Sequence, residues 1–258
     1  MLPPTLAHVA FDPELFASLR QALARGELSP ERSRLRVHPA HLDPGAATRI
    51  PALEPEARVR LGVRGRHAIA AGEVAVLVLN GGMATRFGGE VKGVVPVLPG
   101  RERLSFLAVK LAGLRHAAQD GGGRVPVVLM HSFATATASR EHLEAIDWSG
   151  VPAGDRRVFE QSLLPRVLPD GTPLPELTGA RELADTTLYA APGHGDALLR
   201  LRESGALDWL ASQGVRHLMI SNVDNLGATL DPIILGAHLE AVDSGCALSI
   251  EVVERRRG

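Results

Sequence analysis

The sequence has little of what marks several large classes of protein. Its one cysteine, Cys246, excludes an internal disulfide framework and a zinc site made of cysteines alone. No apolar run approaches the roughly 20 residues that a membrane-spanning helix needs, and the N-terminus lacks a basic stretch followed by an apolar one. Lys and Arg number 28 against 29 Asp and Glu, so no basic surface for nucleic acid is indicated. We therefore expect a cytoplasmic globular protein that binds neither membranes nor nucleic acid.

Aromatic residues are also scarce. With six Phe, two Trp and one Tyr in 258 residues, the core has to be built from Leu, Val, Ile and Ala. The 45% of hydrophobic residues suffices for one large core or two modest ones. The ten histidines show no metal-ligand spacing such as H-E-x-x-H, so we assign none of them to zinc.

Residues 1–70 are predicted to form a helical N-terminal segment. At residues 12–14 an Asp N-cap, a Pro at the first helical position and a Glu in the first turn predict a helix start. Apolar residues over 15–23 follow helical spacing, and a second start signal lies at 29–31. The stretch 36–55 is rich in Pro, His and Asp and is predicted to be a loop.

Residues 71–258 are predicted to form an α/β domain with a mostly parallel sheet. Aliphatic runs suit strands covered on both faces, and they lie at 74–79, 125–130, 157–159, 217–220 and, as a further core strand, 247–253. Helical patterns separate several of them, at 105–118, 139–146, 196–212 and 232–242. Strands that alternate with helices favour this fold class. Ligands of such sheets bind beyond the carboxyl ends of the strands.

The first candidate site follows the strand at 74–79. The segment NGGMATRFGGEVK contains two glycine pairs, with Arg86 between them and Lys92 behind them. Glycines let backbone N–H groups approach an anion closely, and the two cations add fixed positive charges. The segment is neither a Walker loop nor a G-x-G-x-x-G fingerprint. It predicts a triphosphate cradle, and the alternative is an ordinary glycine-rich turn with two solvated cations.

A second candidate site follows the strand at 217–220. Asn222, Asp224 and Asn225 surround one valine at the carboxyl end of this strand. A carboxylate there is well placed to hold Mg²⁺ together with phosphate oxygens, and the amides can bind a sugar or a phosphate. The alternative is an Asx-type turn that only caps the next helix.

Two further segments offer polar groups for a ligand. Gly193 and His194 open a helical pattern, and they would present backbone and an imidazole to an anion or a polar ligand; the alternative is a loop with Asp196 as a simple N-cap. Gln161 follows a short apolar run and offers a donor and an acceptor together, which suits a pyrimidine edge. A surface Gln is the alternative there. Met130 ends another apolar run and is core filler by default.

These segments occur in an order that resembles the UDP-glucose pyrophosphorylase family, the UTP-dependent sugar-1-phosphate uridylyltransferases. LNGGMATRFGG with its following Lys resembles the family's LNGGLGT-type nucleotide loop, VPVVLMHSF resembles a strand ending in L-M-N-S-F, and FEQSLLPR resembles F-x-Q-x-x-x-P-R. The most specific match is APGHGD followed by SGALDWLASQGVRHLMISNVDNLGATLDP, which is similar to P-P-G-H-G-D…S-G-x-L-D…S-N-I-D-N-L-G-A-T-x-D. The resemblance covers about residues 72–253.

The resemblance implies a Rossmann-like nucleotidyltransferase domain that transfers a uridylyl group from UTP to a sugar 1-phosphate, most naturally glucose 1-phosphate, with Mg²⁺ as cofactor. It implies that Arg86 and Lys92 are catalytic residues on the triphosphate. It also implies that Asp224 holds Mg²⁺ and that Asn222 lies near the nucleotide and the sugar phosphate. Around the uracil and ribose it places Gly81, Gly82, Met130, Gln161, Gly193 and His194.

The nucleotide loop departs from the family pattern. Ala84 stands where the family has Gly before its Thr, residues 88–92 are one residue shorter, and Val91 replaces the usual Pro. The short spacing is similar to that of the molybdenum-cofactor guanylyltransferases, and GRHAIAAGEVAVLVLNGG is similar to the UDP-N-acetylhexosamine pyrophosphorylases. The long match around 192–232 argues against the guanylyltransferase. An acetylhexosamine-specific enzyme and a nucleotide-binding protein without catalysis stay open as alternatives.

The end of the chain predicts an incomplete enzyme. Behind the predicted core strand at 247–253 lies only a charged stub. The resembled family continues with the rest of the sheet, a second phosphate-binding Lys, sugar-recognition segments and a C-terminal β-rich domain. We therefore expect that this chain holds part of the UTP site, and the alternative is a short, self-sufficient form.

Overall fold

The structure is a computed structural model that describes residues 6–29, 31–32, 34, 48–84, 90–178 and 188–253. Its helices are α1 (Pro13–Ala24), α2 (Pro55–Ala70), α3 (Phe106–Gly121), α4 (Ala136–Ala145), α5 (Leu174–Thr178), α6 (Ala197–Glu203), α7 (Ala206–Ser212) and α8 (Pro232–Asp243). Its strands are β1 (Val74–Leu79), β2 (Met83–Ala84), β3 (Glu90–Val91), β4 (Val127–His131), β5 (Arg156–Glu160), β6 (Leu164–Pro165), β7 (Tyr189–Ala190) and β8 (His217–Asn222).

Four strands form a parallel sheet in the order β5-β4-β1-β8. Leu79 at the end of β1 is level with Met130 in β4 and with Asn222 in β8, so the carboxyl ends of the strands share one edge. The chain builds the sheet outward from β1 in one direction and then crosses to β8 on the other side. The gap between the ends of β1 and β8 is therefore a topological switch point, where ligands of such sheets bind. The predicted α/β class with a parallel sheet is confirmed.

Both faces of the central strands β1 and β4 are covered, and this explains the unbroken apolar run of β1. All six residues of β1 are buried. Val74, Val76 and Val78 face a core formed with α2, α3, α4 and α8, whereas Ala75 and Leu77 face a second core formed with α6 and α7. Successive side chains of a strand point to opposite faces of the sheet. A strand that is covered on both faces therefore has to be apolar at every position.

The helix α2 packs directly on α8. A Cβ on Gly65 would lie 1.9 Å from the carbonyl oxygen of Pro232, and a Cβ on Gly236 would lie 2.1 Å from that of Leu61. The two backbones are therefore in contact, which residues larger than Gly would prevent. The predicted boundary after residue 70 stays a prediction, but α2 on its N-terminal side shares a core with the helices of the sheet.

The prediction of a core strand at 247–253 is wrong. These residues form no strand in the described part of the chain, and Leu248, Ile250, Val252 and Val253 are 73% to 94% exposed. The alternating apolar pattern is present, but a strand also needs a neighbour for its backbone groups. Instead, Ser249 lies against α8, with its hydroxyl 2.9 Å from Nδ1 of His238.

Other helix predictions are confirmed with changed bounds. The pattern at 196–212 gives two helices rather than one, because Gly205 has a left-handed φ of 75° between α6 and α7. The second start signal gives a turn at 31–32, and Pro30 lies outside the described residues. Of the loop predicted at 36–55, residues 36–47 lie outside them, and Ile50–Ala52 form a short 3₁₀ turn. Among the described helices none is both long and apolar enough to cross a membrane.

Candidate functional site

Three predicted site residues from distant segments meet beyond the ends of β1 and β5. A Cβ on Gly81 would lie only 2.2 Å from Oε1 of Gln161, so the loop after β1 can approach this amide only because residue 81 is a glycine. Gln161 is 3% exposed, and its Nε2 donates a 2.7 Å hydrogen bond to the carbonyl of Gly193. The interpretation of Gln161 as an ordinary surface residue is therefore wrong.

The turn at Gly193 is held by its own local contacts. Gly193 has a φ of 94°, a conformation that favours glycine. Asp196 accepts hydrogen bonds from the backbone N–H of Ser162 (2.6 Å) and from its hydroxyl (3.2 Å). Asp196 occupies the N-cap position of α6, as its interpretation as an N-cap predicts, but its side chain makes no cap bond to that helix. The two hydrogen bonds from Ser162 instead connect the turn to the loop that carries Gln161. His194 is exposed at the site.

Two hydroxyl groups from the segment after β4 hold the loop after β1 by its carbonyl groups. The hydroxyl of Ser132 donates to the carbonyl of Gly81, and that of Thr135 donates to the carbonyl of Asn80, both at 2.9 Å. Within the described residues, the N–H groups of Gly81 and Gly82 have no hydrogen-bond partner. Backbone N–H groups left open in a glycine-rich loop are suited to bind an anion.

A buried polar network behind this loop was not predicted as part of the site. Nδ2 of Asn80 donates to Oγ of Ser139 (2.8 Å) and lies 3.0 Å from Nδ1 of His131. Burial, together with the positive charge of Arg140, lowers the pKa of His131 to about 4. The signal in the sequence was a His where the resembled motif has Asn.

The switch point itself is bridged by an ion pair. Lys92 follows β3, and its Nζ lies 2.9 Å from Oδ2 of Asp224, two residues beyond β8. The side chain of Lys92 also runs beside Gly82, where a Cβ would lie 3.7 Å from its Cδ. Asn222 ends β8 and is exposed at the same edge. The structure thus brings Gly82, Lys92 and Asp224 together.

The segment at 222–225 is not a turn that only caps the next helix, so the alternative given for it is wrong. The residue that caps α8 is Asp231, whose Oδ1 accepts from the N–H groups of Ile233 (2.7 Å) and Ile234 (3.3 Å). Asp224 lies earlier in the loop, is exposed, and makes no bond to the start of that helix. Its carboxylate is therefore free of the structural role that the alternative gave it.

Of the remaining predicted site residues, one is not described and one lies in the core. Arg86 lies in residues 85–89, outside the described part of the chain. Met130 is fully buried, and it packs with Phe159 and Leu201 in the core beneath α6 and α7. Its placement agrees with its interpretation as core filler, and its contact with a nucleotide stays a prediction.

Lys110 is a further residue near the site, and no motif in the sequence indicated it. This residue of α3 is 5% exposed, and its Nζ donates hydrogen bonds to the carbonyls of Asn225 (2.9 Å) and Ala228 (2.6 Å). Both carbonyls belong to the loop that carries Asp224. A single lysine in an amphipathic pattern ordinarily lies on the exposed face of a helix, so nothing in the pattern marked this one.

The chain is similar in sequence to known proteins. The family model described as UTP--glucose-1-phosphate uridylyltransferase matches residues 58–258. UTP--glucose-1-phosphate uridylyltransferase 2 of Dictyostelium discoideum is 37% identical over 169 residues, which are 65% of this chain and 32% of that protein. The chain thus spans about a third of the length of the curated relatives it matches.

Solved structures show the same fold. The crystal structure of UDP-glucose phosphorylase from Trypanosoma brucei has a TM-score of 0.61 and 29% identity, and the match covers 91% of this chain and 47% of that one. The uridine diphosphate N-acetylglucosamine pyrophosphorylase from Trypanosoma brucei has a TM-score of 0.60 at 22% identity, over 72% of this chain and 38% of that one. At that identity the second likeness concerns the fold alone.

Proposed function

The chain belongs to the UTP--glucose-1-phosphate uridylyltransferase family, and from this premise we propose that it carries the UTP site of an enzyme that makes a UDP-sugar and pyrophosphate from UTP and a sugar 1-phosphate, most naturally glucose 1-phosphate. The observation that carries the proposal is the ion pair between Lys92 and Asp224 at the switch point of the sheet. This pair brings an ammonium group, which suits phosphate, and a carboxylate, which suits a metal, close to the glycine loop.

In the proposed reaction, an oxygen of the sugar phosphate attacks the α-phosphorus of UTP. The new bond joins this oxygen to the α-phosphorus, and the bond from the α-phosphorus to the bridging oxygen of the pyrophosphate breaks. The attacking oxygen is already an anion, so no general base is required. Catalysis then depends on holding the two reactants in line and on neutralising the charge that builds up on the phosphates.

The base is proposed to bind between Gly81, Gln161 and Gly193. Nε2 of Gln161 is already held by the carbonyl of Gly193, so Oε1 is the atom left to accept from the ring N–H of uracil. His194, which is exposed on the next turn, is proposed to contact the ribose or the base. A site with fixed donors and acceptors discriminates strongly between bases, because the wrong base leaves buried polar groups unpaired.

The triphosphate is proposed to bind Lys92 and Arg86, with Asn222 near the nucleotide and the sugar phosphate. Asp224 would hold Mg²⁺, and its exposed carboxylate fits that ion, which prefers one or two carboxylates with phosphate oxygens and waters. The described residues contain no cluster of three or more His, Cys, Asp and Glu that could hold a metal by themselves. When bound, Mg²⁺ supplies Lewis-acid stabilisation of the phosphate charge. On nucleotide binding, the ammonium of Lys92 exchanges the carboxylate of Asp224 for a phosphate oxygen.

The other functions considered from the sequence have less support. The relatives that match at about 35% identity are named for transfer to glucose 1-phosphate, and the N-acetylglucosamine enzyme matches at the level of the fold. A nucleotide-binding protein without catalysis has the same UTP site and differs only in turnover. The cytoplasmic location stays a prediction.

Titration of the chain with nucleotides tests the proposal. We expect UTP to bind in the presence of Mg²⁺ at least ~10-fold more tightly than GTP, because a site with fixed hydrogen-bonding groups rejects a mismatched base. The Lys92→Met variant should lose most of this affinity. Equal binding of UTP and GTP, or no binding of either, would overturn the proposal. Pyrophosphate release with glucose 1-phosphate then separates an enzyme from a binding protein.

A further inference from the structure

A buried lysine lies beneath the loop that carries Asp224. Lys110 reaches from α3 to two carbonyl groups of the loop between β8 and α8, those of Asn225 at 2.9 Å and Ala228 at 2.6 Å. The first of these residues follows Asp224 directly. The amine therefore joins the exposed part of this loop to a helix whose apolar residues lie in the core.

The loop at 224–229 has few other attachments within the described part of the chain. Its backbone hydrogen bonds are short local turns, one of which joins the N–H of Asn225 to the carbonyl of Asn222 at the end of β8. Val223 and Leu230 on either side are buried and fix its two ends. Between them the remaining link is the ion pair of Asp224 with Lys92, for which a bound nucleotide competes. Once that pair opens, the two hydrogen bonds from Lys110 are the side-chain bonds by which the described residues still hold the loop.

Burial of an ammonium group is costly, so its presence needs a reason. Burial lowers the pKa of Lys110, and the negative charge of Glu251 opposes this shift. The hydrogen-bond partners that the described residues provide are neutral carbonyls, not a carboxylate. A methionine of similar length would fill the space without this desolvation cost. Unlike methionine, a charged donor can hold the two carbonyl groups in place, because hydrogen bonds from a charged group to carbonyls are strong and directional.

We propose that Lys110 is a positioning residue of the nucleotide site, which holds the loop at 224–229 so that Asp224 faces Lys92 and the metal-bound triphosphate. This inference rests on the proposed function, because the role of Asp224 is part of it. Lys110 itself is buried on the inner side of the loop and acts through the backbone, so it is not expected to contact the nucleotide.

The first test is hydrogen–deuterium exchange of the chain without ligand. In Lys110→Met we expect the amides of residues 224–229 to exchange at least ~10-fold faster than in the wild type, because a loop that loses its anchor opens more often. Lys110→Arg keeps a charged donor, so the amides of residues 224–229 should keep most of the protection from exchange that they have in the wild type. The matched control is Arg124→Met, which removes a partly buried cation bound to Gln213 and Asp155 and should leave the exchange of this loop unchanged.

The second test is the gain in UTP affinity that Mg²⁺ causes. Lys110→Met should keep the affinity measured in EDTA and lose about tenfold of the gain from Mg²⁺, since the coupling between metal and nucleotide needs Asp224 in place. Lys110→Arg should recover part of that gain. A purely structural lysine would lower the melting temperature on substitution, as we expect of Arg124→Met, without changing the ratio of the two affinities.

The outcomes are distinct. Unchanged exchange of the loop in Lys110→Met overturns the inference, and so does faster exchange with an unchanged effect of Mg²⁺. A wild-type chain that binds UTP with no effect of Mg²⁺ contradicts the role of Asp224 in the proposed function, and loop exchange alone then decides whether Lys110 holds the loop. If Lys110→Met does not fold, Lys110→Gln, which keeps a neutral donor, replaces it in both experiments.

Discussion

Nζ of Lys92 and Oδ2 of Asp224, 2.9 Å apart, join the loop after β1 to the loop after β8. The two side chains are 39% and 36% exposed, and ion pairs at such exposed positions contribute little to stability. The importance of the pair lies in its place at the switch point of the sheet. Each partner is the kind of group that a metal-bound triphosphate requires, and in the free chain the two groups neutralise each other.

This relationship predicts opposite effects of Asp224→Asn with and without metal. Without Mg²⁺, UTP should bind as tightly as to the wild type or more tightly, because the carboxylate no longer competes for Lys92 or repels the phosphates. With Mg²⁺, at least ~10-fold of the gain in affinity should be lost, a typical size for coupling between two ligands. Calorimetric titration in EDTA and in Mg²⁺ measures both effects. Asp208→Asn, at an exposed position of α7, is the control and should change neither.

Gln161→Ala should weaken the binding of UTP by about 1–3 kcal/mol, the cost of leaving a buried partner unsatisfied. The buried amide joins the carbonyl of Gly193 to the space beside Gly81, so its loss affects both the turn and the base site. Gln213→Ala, which removes an amide bound to Arg124 after α7, is the matched control. If Gln161→Ala binds UTP as the wild type does, the base site is misassigned.

Two neighbouring glycines should respond differently to a methyl group. In Gly81→Ala the new Cβ would lie 2.2 Å from Oε1 of Gln161, so the loop or the amide has to move, at a cost of about 1–3 kcal/mol in unfolding free energy. The same variant should bind UTP more weakly. In Gly82→Ala the nearest contact would be 3.7 Å, to the stem of Lys92, which is ordinary van der Waals distance. Chemical denaturation of both variants compares them, and equal losses would contradict the described packing.

The buried His131 predicts a loss of stability in acid. Its pKa is about 4 in the folded chain, against about 6.5 for an exposed His, so between these values the unfolded chain binds more protons. The unfolding free energy therefore falls as the pH decreases from 6.5 to 4, by up to roughly 3 kcal/mol from this group. The same network includes Asn80, so acid should also loosen the loop that follows β1.

His131→Asn isolates this contribution. When unfolding free energies are measured from pH 7 to pH 4, the wild type should lose up to roughly 3 kcal/mol more than the variant as the pH falls. His116→Asn, at an exposed position of α3, should run parallel to the wild type over the same range. Parallel curves for His131→Asn would show that the ring is not buried in its neutral form.

The parallel sheet and the meeting of four segments at its edge could be predicted, because both follow from local patterns. Continuous aliphatic runs indicate strands covered on both faces, and parallel strands bring their carboxyl ends to one edge. The pairing of Gln161 with Gly81 could not be predicted from spacing, because it depends on how closely two loops approach.

The features that were not predicted, or were predicted wrongly, also have physical causes. Lys110 looked like one more surface cation, since burial of its amine depends on carbonyl groups more than 100 residues away in the sequence. The strand expected at 247–253 had the right alternation of residues but pairs with no neighbour in the described part of the chain. A pattern of side chains describes what a segment can bury, whereas backbone pairing depends on what lies beside it.

The contact of α2 with α8 through Gly65 and Gly236 sets the order in which the molecule can form. The ribosome releases α2 early, and its partner helix follows only after most of the sheet has been made. At typical rates of synthesis, this leaves the apolar face of α2 without its partner for roughly 10–30 s. The loop that carries Asp224 lies immediately before α8, so the site closes at the same late step.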